Sequence, residues 1–565
     1  MDLISTAALV AARVAGALWS PITDCDETFN YWEPAYLLAA RTHALQTWEY
    51  APVHALRSYA YLAPHAAVMT LFASIFGAHV APWRSAFFAT RLVLALASAA
   101  IEVRLAAAVG GGIGGQRLST TLKMVLAASP GMFHSAPAFL PSSFAMAAVG
   151  VHLAAWFQSS SAPKPSRLAI AAIACSALLG WPFAAALGIP FFLSYLMTHP
   201  RPLVVNSVLA GVVVAVPMVL IDSFFYGSGS IHLVPWQMIQ YNVVRNQSHL
   251  YGVEPASFYL KNLVLNWSGF ILLAAGMSVW DLGSLFILKL NHRRLSPPQT
   301  WGPATMLALW LTVFVLQPHK EERFLAPIYP AIAVQAARGV VAVPRVLRRL
   351  ATGRSALLLR LGVAGSMSAF ALMGVLRMLA MVRFYGAPVR LDVSSSMLPH
   401  SADGVNATVC VGNDWFLSAG HALLPAHARI KFVRQAFDGQ LPAEYAVPPP
   451  PSSGPSALNA WAELLRVRDA TARVGHASFS DANELDLTRF VPESQCDYIL
   501  GRDPIVTGAK PVACEPILLA ESTPTWARIV DVPAGLPFSR QVRKAQVWDK
   551  YCLWVPPPPG QGIIN

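Results

Sequence analysis

Long apolar stretches, separated by short polar loops, run through residues 1–385 and predict membrane-spanning helices. A helix needs about 20 apolar residues to cross ~30 Å of hydrocarbon. A further apolar stretch, 59–79, is predicted to be re-entrant or to lie along the membrane interface, because a crossing there would invert every later loop. Eleven stretches approach crossing length: 3–20, 86–108, 119–134, 143–158, 168–181, 183–197, 203–225, 263–288, 301–317, 325–343 and 356–381.

Basic residues predict how these spans are oriented. The positive-inside rule places loops that carry Lys and Arg in the cytosol. A single alternation of the eleven spans puts all the basic loops on that side and the C-terminal portion on the other, lumenal side. Five loops hold basic residues without Asp or Glu: Arg117 and Lys123; Lys164 and Arg167; Arg201; Lys289, Arg293 and Arg294; and Arg345, Arg348, Arg349 and Arg354.

The character of the sequence changes near residue 386, where the apolar spans stop and charged residues of both signs return. Apolar and polar residues alternate in Ala407–Phe416 and Arg429–Val433, which is typical of β-strands. We therefore predict an all-α membrane domain over 1–385, with a first lumenal loop at about 21–85. A small lumenal domain that contains β structure is predicted over 386–565.

Composition supports the membrane class and excludes another class. The chain has 565 residues, of which 55% are hydrophobic and only 12% are charged, whereas soluble proteins carry about 25% charged residues. The net charge of +12 would suit nucleic acid only if Lys and Arg clustered on a soluble face. They lie instead between apolar spans, so nucleic-acid binding is rejected.

Cysteines and glycosylation acceptors agree with a lumenal C-terminal portion. Four of the six cysteines lie there, and four cysteines allow three disulfide connectivities. Their spacing does not match a zinc site, and free thiols also fit the sequence. The four cysteines are Cys410, Cys496, Cys514 and Cys552, and the two acceptors on the predicted lumenal side are Asn246 and Asn406.

An acidic and aromatic segment, Asp24–Pro34, follows the first apolar stretch directly. It holds four carboxylates, three aromatic residues and an Asn. Carboxylates are costly at the edge of hydrocarbon, although an interfacial cap with an aromatic belt would also use them. In an enzyme, such carboxylates can deprotonate a hydroxyl group while the aromatic faces hold a sugar.

A second lumenal segment, Gln317–Phe324, is predicted between the ninth and tenth spans and carries His, Lys and Arg. A solvated charge run is the alternative interpretation. The segment is short and lies between two predicted membrane helices, however, so these cations would lie near lipid headgroups. Lys and Arg bind phosphate groups there through charged hydrogen bonds.

The two segments together suit transfer from an activated lipid. A carboxylate would take a proton from an acceptor hydroxyl, a step worth about 10²–10⁴-fold in rate. Cations would stabilise a departing lipid phosphate. The sequence carries no Walker loop, and Gly110–Gly115 has no preceding strand that would make it a phosphate loop. Nucleotide-driven chemistry is therefore not expected.

Several ordered blocks resemble the dolichyl-phosphate-mannose-dependent mannosyltransferases of glycosyltransferase family 22. Within that family the likeness is greatest to members that add α-1,2-linked mannose in asparagine-linked glycan assembly. The blocks are Asp24–Pro34, Gln46–Pro52, Arg57–Leu62, Ser129–Met146, Leu250–Pro255 and His319–Pro330.

This resemblance implies a GT-C fold and an active site at the lumenal surface of the endoplasmic reticulum membrane. It implies an inverting transfer of mannose from dolichyl-phosphate mannose to a dolichyl-diphosphate oligosaccharide, at the six- and eight-mannose intermediates. A cofactor is not implied. Metal is not expected either, because cationic side chains would already face the donor phosphate.

Site residues also follow from the resemblance. Asp26 is the candidate general base, Asp24 competes with it, and Glu27 would orient the acceptor or tune Asp26. Glu321 or Glu322 is expected to orient the cations. The donor-phosphate candidates are His319, Lys320 and Arg323, and the candidates for contact with sugar or acceptor are Tyr31, Trp32, Glu33, Trp48, Tyr251 and Glu254. For Tyr31, Trp32 and Trp48, anchoring at the membrane interface is an equal alternative. For Tyr251 and Glu254, the alternative is a structural turn.

Two rival functions remain open from the sequence. An α-1,2-mannosyltransferase of glycosylphosphatidylinositol assembly would share both segments, although Gln46–Pro52 and Leu250–Pro255 favour the asparagine-linked pathway. A non-catalytic lipid-oligosaccharide transporter is the alternative from another class. Transporters often carry internal repeats, and this sequence shows none.

Overall fold

A computed structural model of the chain describes most of its length. The described residues are 2–40, 42–76, 82–159, 164–227, 229–245, 248–290, 297–350, 353–394, 396–398, 407–448, 457–473, 479–532, 535 and 538–557. Both predicted glycosylation acceptors, Asn246 and Asn406, lie outside these residues.

The described chain is mainly helical, as predicted. A π-helical turn, Glu27–Trp32, precedes α2, and a 3₁₀ segment, Glu322–Ile328, precedes α15. The helices before residue 200 are α1 Asp2–Trp19, α2 Glu33–Ala40, α3 Tyr59–Ile75, α4 Pro82–Val109, α5 Gly115–Ala127, α6 Pro130–Ser135, α7 Pro141–Gln158, α8 Arg167–Cys175 and α9 Ile189–Leu196. Those after it are α10 Pro200–Tyr226, α11 Val234–Ile239, α12 Ser257–Trp267, α13 Phe270–Leu290, α14 Pro298–Leu316, α15 Tyr329–Leu350, α16 Gly353–Tyr385, α17 Ala387–Arg390, α18 Ala457–Ala472, α19 Thr525–Arg528 and α20 Ser539–Ala545.

Among the described residues, seven helical segments are long and apolar enough to cross a membrane, so the predicted count of eleven is not confirmed. Part of the difference is that 168–181 and 183–197 form short apolar helices. A further part is that 86–108 and the first half of 119–134 lie in one helical segment, Pro82–Ala127, which counts once. The rest is 143–158, whose helix α7 is not among the seven segments. The stretch at 59–79 also forms a short helix, α3. The seven segments are Asp2–Trp19, Pro82–Ala127, Pro200–Tyr226, Phe270–Ile287, Pro298–Leu316, Glu322–Leu347 and Leu357–Tyr385.

The described chain divides into two compact units, each made of separate pieces of sequence. The first unit comprises Met1–Leu18, Leu92–Val216 and Asn246–Leu379. The second comprises Trp19–Arg91, Pro217–Arg245 and Ala380–Asn565. The predicted boundary between 385 and 386 stays a prediction about the membrane and lumenal portions.

A buried ion pair lies in the core of the first unit. Arg13 on α1 donates from Nε to Glu102 Oε1 at 2.9 Å and from Nη2 to Glu102 Oε2 at 2.6 Å. Ser98 Oγ donates to the same carboxylate at 2.7 Å, and Arg13 also donates to the Leu126 carbonyl at 3.0 Å. Arg13 is wholly buried. The apolar first span can contain this charged side chain because Glu102 on α4 pairs with it.

The second unit carries a five-stranded mixed sheet, as the alternating pattern predicted for the C-terminal portion. The predicted strand segments correspond to β2 Ala407–Val411 and β3 Ala428–Phe432. Earlier in the chain, β1 Leu45–Gln46 pairs antiparallel with β4 Ala443–Glu444. The remaining strands are β5 Tyr498–Gly501, β6 Lys510–Leu518 and β7 Trp548–Val555, and the sheet order is β3-β2-β5-β7-β6.

Two disulfides lie in this sheet region. Cys410 on β2 is bonded to Cys496, immediately before β5, and Cys514 on β6 is bonded to Cys552 on β7. Register on the antiparallel pair brings Cys514 directly opposite Cys552. The structure therefore selects one of the three connectivities that the sequence allowed.

Candidate active site

The acidic segment begins with a turn that Asp24 stabilises. The Asp24 carboxylate accepts a hydrogen bond from the Asp26 backbone N–H at 2.9 Å, and the Asp24 carbonyl accepts one from Glu27 N–H at 3.0 Å. An acidic side chain is well suited to satisfy the free N–H groups at the start of a helix. Asp24, one of the two candidate bases, thus has a capping role.

Asp26 stands beside an arginine and remains partly open to solvent. Its side chain is 29% exposed, and its Oδ2 lies 3.4 Å from Nη2 of Arg57. The same guanidinium donates to Glu49 Oε1 at 2.7 Å and to the Tyr31 hydroxyl at 2.7 Å. One cation therefore serves two carboxylates in the second unit.

Glu27 and the two neighbouring aromatic residues are buried. Trp32 Nε1 donates to Glu27 Oε1 at 3.0 Å, and both residues are at most 2% exposed. The Tyr31 ring packs edge-on against Tyr61 at 5.7 Å. These rings pack within the protein, and their predicted contact with a sugar stays a prediction.

A polar network continues from Glu49 through Asn30. Asn30 Nδ2 donates to Glu49 Oε2 at 2.6 Å, and Thr47 Oγ1 donates to Asn30 Oδ1 at 2.5 Å. The Trp48 ring, predicted to contact sugar, packs on His54 at 5.0 Å and Tyr241 at 5.4 Å. The segment Gln46–Pro52 thus contributes Glu49 to the site, which the sequence did not single out.

Two residues of α10 support the backbone around Arg57. The Tyr226 hydroxyl donates to the Arg57 carbonyl at 2.6 Å. Asp222 accepts hydrogen bonds from Ser58 Oγ at 2.9 Å and from the Ala60 N–H at 2.9 Å, so it caps the first turn of α3. In the sequence, Arg57 stands out only as the first residue of the block Arg57–Leu62; its position two residues before the apolar stretch 59–79 was the available signal.

His319, in the first unit, is held between two hydrogen-bond acceptors. Its Nδ1 lies 2.9 Å from the Gly252 carbonyl, and its Nε2 lies 3.0 Å from Glu321 Oε1. Both ring nitrogens must donate to satisfy these contacts, which describes an imidazolium. Burial alone would lower the pKa of His319, but Glu321 outweighs it and the pKa is raised above its usual value.

Lys320 joins two of the sequence blocks to each other. Its ammonium group donates to the Glu254 carbonyl at 3.0 Å and also to the Gln317 carbonyl. The Glu254 N–H in turn donates to the Pro318 carbonyl at 3.1 Å. The side chain is nearly buried, so Lys320 fixes Leu250–Pro255 against this segment, and its predicted phosphate contact stays a prediction.

Arg323 and the two glutamates complete the cationic segment. Arg323 Nε is paired with Glu321, which therefore contacts both Arg323 and His319, the arrangement expected for an orienting glutamate. Glu322 instead accepts from Asn266 Nδ2 at 2.8 Å and lies 3.4 Å from His134 Nε2.

Glu33, predicted to contact the acceptor, is buried and bonded to His421, 2.7 Å away. Tyr251 is partly exposed and Glu254 is exposed, and the Glu254 carbonyl contacts Lys320. Ligand atoms of Asp24, Cys25 and Asp26 lie within 4.8 Å of one another. Such clusters are common without a metal, and metal-independent transfer stays a prediction.

Comparison with known proteins places most of the chain in one family. The Alg9-like mannosyltransferase family matches residues 4–425. Alpha-1,2-mannosyltransferase ALG9 of Homo sapiens is 32% identical over 510 residues, covering 88% of this chain and 78% of that protein.

Two weaker likenesses differ in extent. GPI mannosyltransferase 3 of Debaryomyces hansenii is 28% identical over 130 residues, or 23% of this chain and 21% of that protein. The crystal structure of ArnT from Cupriavidus metallidurans in the apo state covers 77% of this chain and 86% of its own, at 14% identity and a TM-score of 0.44. That structural score does not establish a common fold.

Proposed function

Since the chain belongs to the Alg9-like mannosyltransferase family, we propose that it is an inverting α-1,2-mannosyltransferase of asparagine-linked glycan assembly. The donor is dolichyl-phosphate mannose, and the acceptor is the dolichyl-diphosphate oligosaccharide at its six- and eight-mannose stages. Family membership and the extended likeness to ALG9 support this assignment.

Asp26 acts as the general base in this proposal. It takes the proton from an acceptor 2-hydroxyl while that oxygen bonds to C1 of the donor mannose. The bond between C1 and the phosphate oxygen breaks, and dolichyl phosphate leaves with the electron pair. The single observation that carries the assignment is that Asp26 is partly exposed beside Arg57, whereas Asp24 caps a turn and Glu27 is buried.

His319 and Arg323 are the proposed groups for the donor phosphate. Charged N–H donors bind phosphate oxygens strongly, and Glu321 fixes both side chains. Lys320 contributes by holding its loop against Leu250–Pro255. The phosphate is a good leaving group when these cations offset its charge, so the transfer is proposed to need neither metal nor cofactor.

The proposed setting is the endoplasmic reticulum membrane, with a multi-pass GT-C domain. The site and the C-terminal portion face the lumen in this proposal. Basic loops on one side of the predicted spans and two disulfides in the C-terminal portion support this orientation.

The two rival functions are less well supported. The glycosylphosphatidylinositol-pathway relative matches only 23% of the chain. A non-catalytic transporter does not account for membership of a mannosyltransferase family.

Purified protein tested with two acceptors decides the pathway. The full chain is incubated with labelled dolichyl-phosphate mannose and either the six-mannose lipid-linked oligosaccharide or a mannosylated glycosylphosphatidylinositol precursor. We expect α-1,2-linked label on the first acceptor alone. Transfer to the second acceptor alone contradicts the pathway but keeps the chemistry, and transfer to neither contradicts the proposed function.

A further inference from the structure

The buried carboxylate of Glu33, at the start of α2, links this helix to the C-terminal portion within the second unit. Glu33 and His421 side chains are each 1% exposed. Glu33 Oε2 accepts from His421 Nδ1 at 2.7 Å and from the Leu45 N–H at 2.7 Å. Glu33 Oε1 accepts from the His421 backbone N–H at 2.6 Å. Three N–H groups from two distant parts of the sequence therefore converge on one carboxylate.

Hydrogen bonds define the protonation of this pair. The Ile430 backbone N–H donates to His421 Nε2 at 3.1 Å, so that nitrogen carries the lone pair and the ring proton is on Nδ1. Burial alone would raise the pKa of Glu33, but the electrostatic attraction of His421, together with the N–H groups of His421 and Leu45, outweighs it and holds the pKa below its usual value. The pair is thus a carboxylate that accepts from Nδ1–H of the His421 ring, whose Nε2 accepts from Ile430.

The backbone before His421 is shaped to admit this carboxylate. Gly420 has φ of 82°, in the left-handed region that favours glycine. A Cβ at that position would lie 2.5 Å from Glu33 Oε1. The close approach of carboxylate and backbone is therefore possible because residue 420 is glycine.

Aromatic packing and a short ladder hold the same helix. Phe29 packs against Trp415 at 5.8 Å and against Phe432 at 6.5 Å between ring centroids. Leu45 pairs with Glu444 in the two-stranded ladder. Phe29 and Glu33 follow Asp26 by three and seven residues. Their contacts with the C-terminal portion therefore hold the segment that carries Asp26, the proposed base.

We propose that Glu33 and His421 form a positioning pair for mannosyl transfer, through which the C-terminal portion fixes the orientation of Asp26. This inference rests on the proposed function and assigns a task to residues 407–445. Catalytic groups must be held to within about 0.5 Å of their productive geometry, and misplacement by about 1 Å can cost ~10²-fold in rate. Neither residue is required to touch substrate.

The test compares two substitutions of His421 in the full-length protein. His421→Leu removes the Nδ1–H donor and is expected to lower kcat for transfer by about 10–100-fold, while KM for dolichyl-phosphate mannose is unchanged. His421→Asn offers an amide N–H near the former Nδ1 and is expected to restore most of kcat. A purely structural role would not separate kcat from KM or distinguish these variants at matched thermal stability.

Arg434→Met is the matched control. Arg434 lies two residues after the end of β3 and pairs with Asp438 at 2.7 Å in an exposed ion pair. The substitution changes the same region without altering Glu33, His421 or the β1–β4 ladder, so its kcat is expected to match that of the wild type.

Hydrogen–deuterium exchange over residues 24–33 separates this inference from the proposed function. Faster exchange is expected in His421→Leu and not in His421→Asn or Arg434→Met, whether or not the chosen acceptor is mannosylated. Wild-type kcat and exchange in His421→Leu, or equal losses in the Leu and Asn variants, overturn the positioning role. Absence of transfer by the wild type refutes the proposed function alone.

Discussion

Arg57 is the residue that organises the acidic site. Its guanidinium contacts Asp26, Glu49 and Tyr31 at once. A planar fork of five N–H donors can serve several acceptors in fixed directions, which the ammonium group of lysine does not reproduce. Asp26 is therefore held by a neighbour whose geometry as well as charge matters.

Replacing Arg57 tests this role. We expect Arg57→Met to lower kcat by about 10–100-fold, because hydrogen bonds to charged groups are worth about 1.5–3 kcal/mol. Arg57→Lys keeps the charge and is expected to lose less. Mannosyl transfer is measured beside Arg434→Met, which breaks an exposed pair with Asp438 and is expected to be neutral. Equal activity in Arg57→Met and Arg434→Met would contradict the role.

His319 predicts a pH dependence of donor use. Its raised pKa means that the imidazolium form, which both of its acceptors require, persists to higher pH than in an ordinary histidine, whose pKa is about 6.5. Below the raised pKa the cation is present, and above it the positive charge is lost. We expect kcat/KM for dolichyl-phosphate mannose to fall as pH rises through that pKa.

His319→Gln provides the comparison, because glutamine does not titrate. At acidic pH its kcat/KM is expected to be lower than that of the wild type. The fall of kcat/KM with rising pH that is assigned to His319 is expected to be absent. A variant of a partly exposed histidine outside both segments, His199→Gln, is expected to keep the wild-type profile. An unchanged alkaline limb in His319→Gln would assign the titration to another group.

At the residue scale, the sequence indicated where charged side chains cluster, and the catalytic roles assigned to them stay predictions. Clustering of carboxylates drew attention to Asp26, and the geometry distinguishes it from Asp24 and Glu27 by capping and burial. The sequence did not predict that Lys320 would be bonded to the Glu254 carbonyl, because this contact depends on a loop more than sixty residues away.

At the scale of elements, the α1–α4 contact depends on the buried Arg13–Glu102 pair. Removing one partner leaves the other charge buried without compensation, which costs about 3–5 kcal/mol. We expect Arg13→Met to lower the thermal stability of the purified protein markedly. The double variant Arg13→Met with Glu102→Leu is expected to recover much of that loss, since apolar residues can replace a buried pair.

Thermal unfolding in detergent measures this coupling. An exposed-pair control, Arg434→Met, is expected to leave the melting temperature nearly unchanged. The single variant Glu102→Leu completes the comparison. If the double variant loses as much melting temperature as the two single variants together, Arg13 and Glu102 act independently and the coupling is contradicted.

Helix boundaries show what apolar patterning could and could not provide. It located the long helices, and it divided the segment Pro82–Ala127 at Gly110–Gly115, where the structure also departs from a continuous α-helix. In the structure Gly110–Gly114 is a π-helical turn, and the break falls at Gly115, where φ is 70°. Glycine permits both outcomes, because its backbone is not confined to one region.

At the scale of the whole molecule, sequence predicted the class of each portion better than its connections. Alternating residues identified β2 and β3, but strand order and cysteine pairing depend on contacts between segments far apart in sequence. β2 pairs in parallel with both β3 and β5, and parallel neighbours require long crossovers that local patterns do not specify. The division into two units built from interleaved pieces was likewise beyond local patterning.

Orientation of the molecule is tested by glycosylation at Asn406. If the C-terminal portion is lumenal, endoglycosidase treatment of the protein from microsomes is expected to increase its gel mobility. Asn406→Gln is expected to remove the part of that shift due to this acceptor. Asn266-Trp267-Ser268 also matches the acceptor sequence but starts within a predicted span. Asn266→Gln is expected to leave the shift unchanged, because the Asn266 amide is buried and bonded to Glu322 and Tyr329. Digestion of a C-terminal tag by protease added outside intact microsomes would contradict lumenal placement.

The most direct test of the central claim is the rate of mannosyl transfer by Asp26→Asn beside wild type and Asp24→Asn. Dolichyl-phosphate mannose and the six-mannose lipid-linked acceptor are the substrates, and thermal unfolding verifies that each variant is folded. Loss of the general base predicts a fall in kcat of about 10²–10⁴-fold for Asp26→Asn, with a smaller effect for Asp24→Asn. Near-normal transfer by a folded Asp26→Asn variant would contradict the assignment of Asp26 as the base.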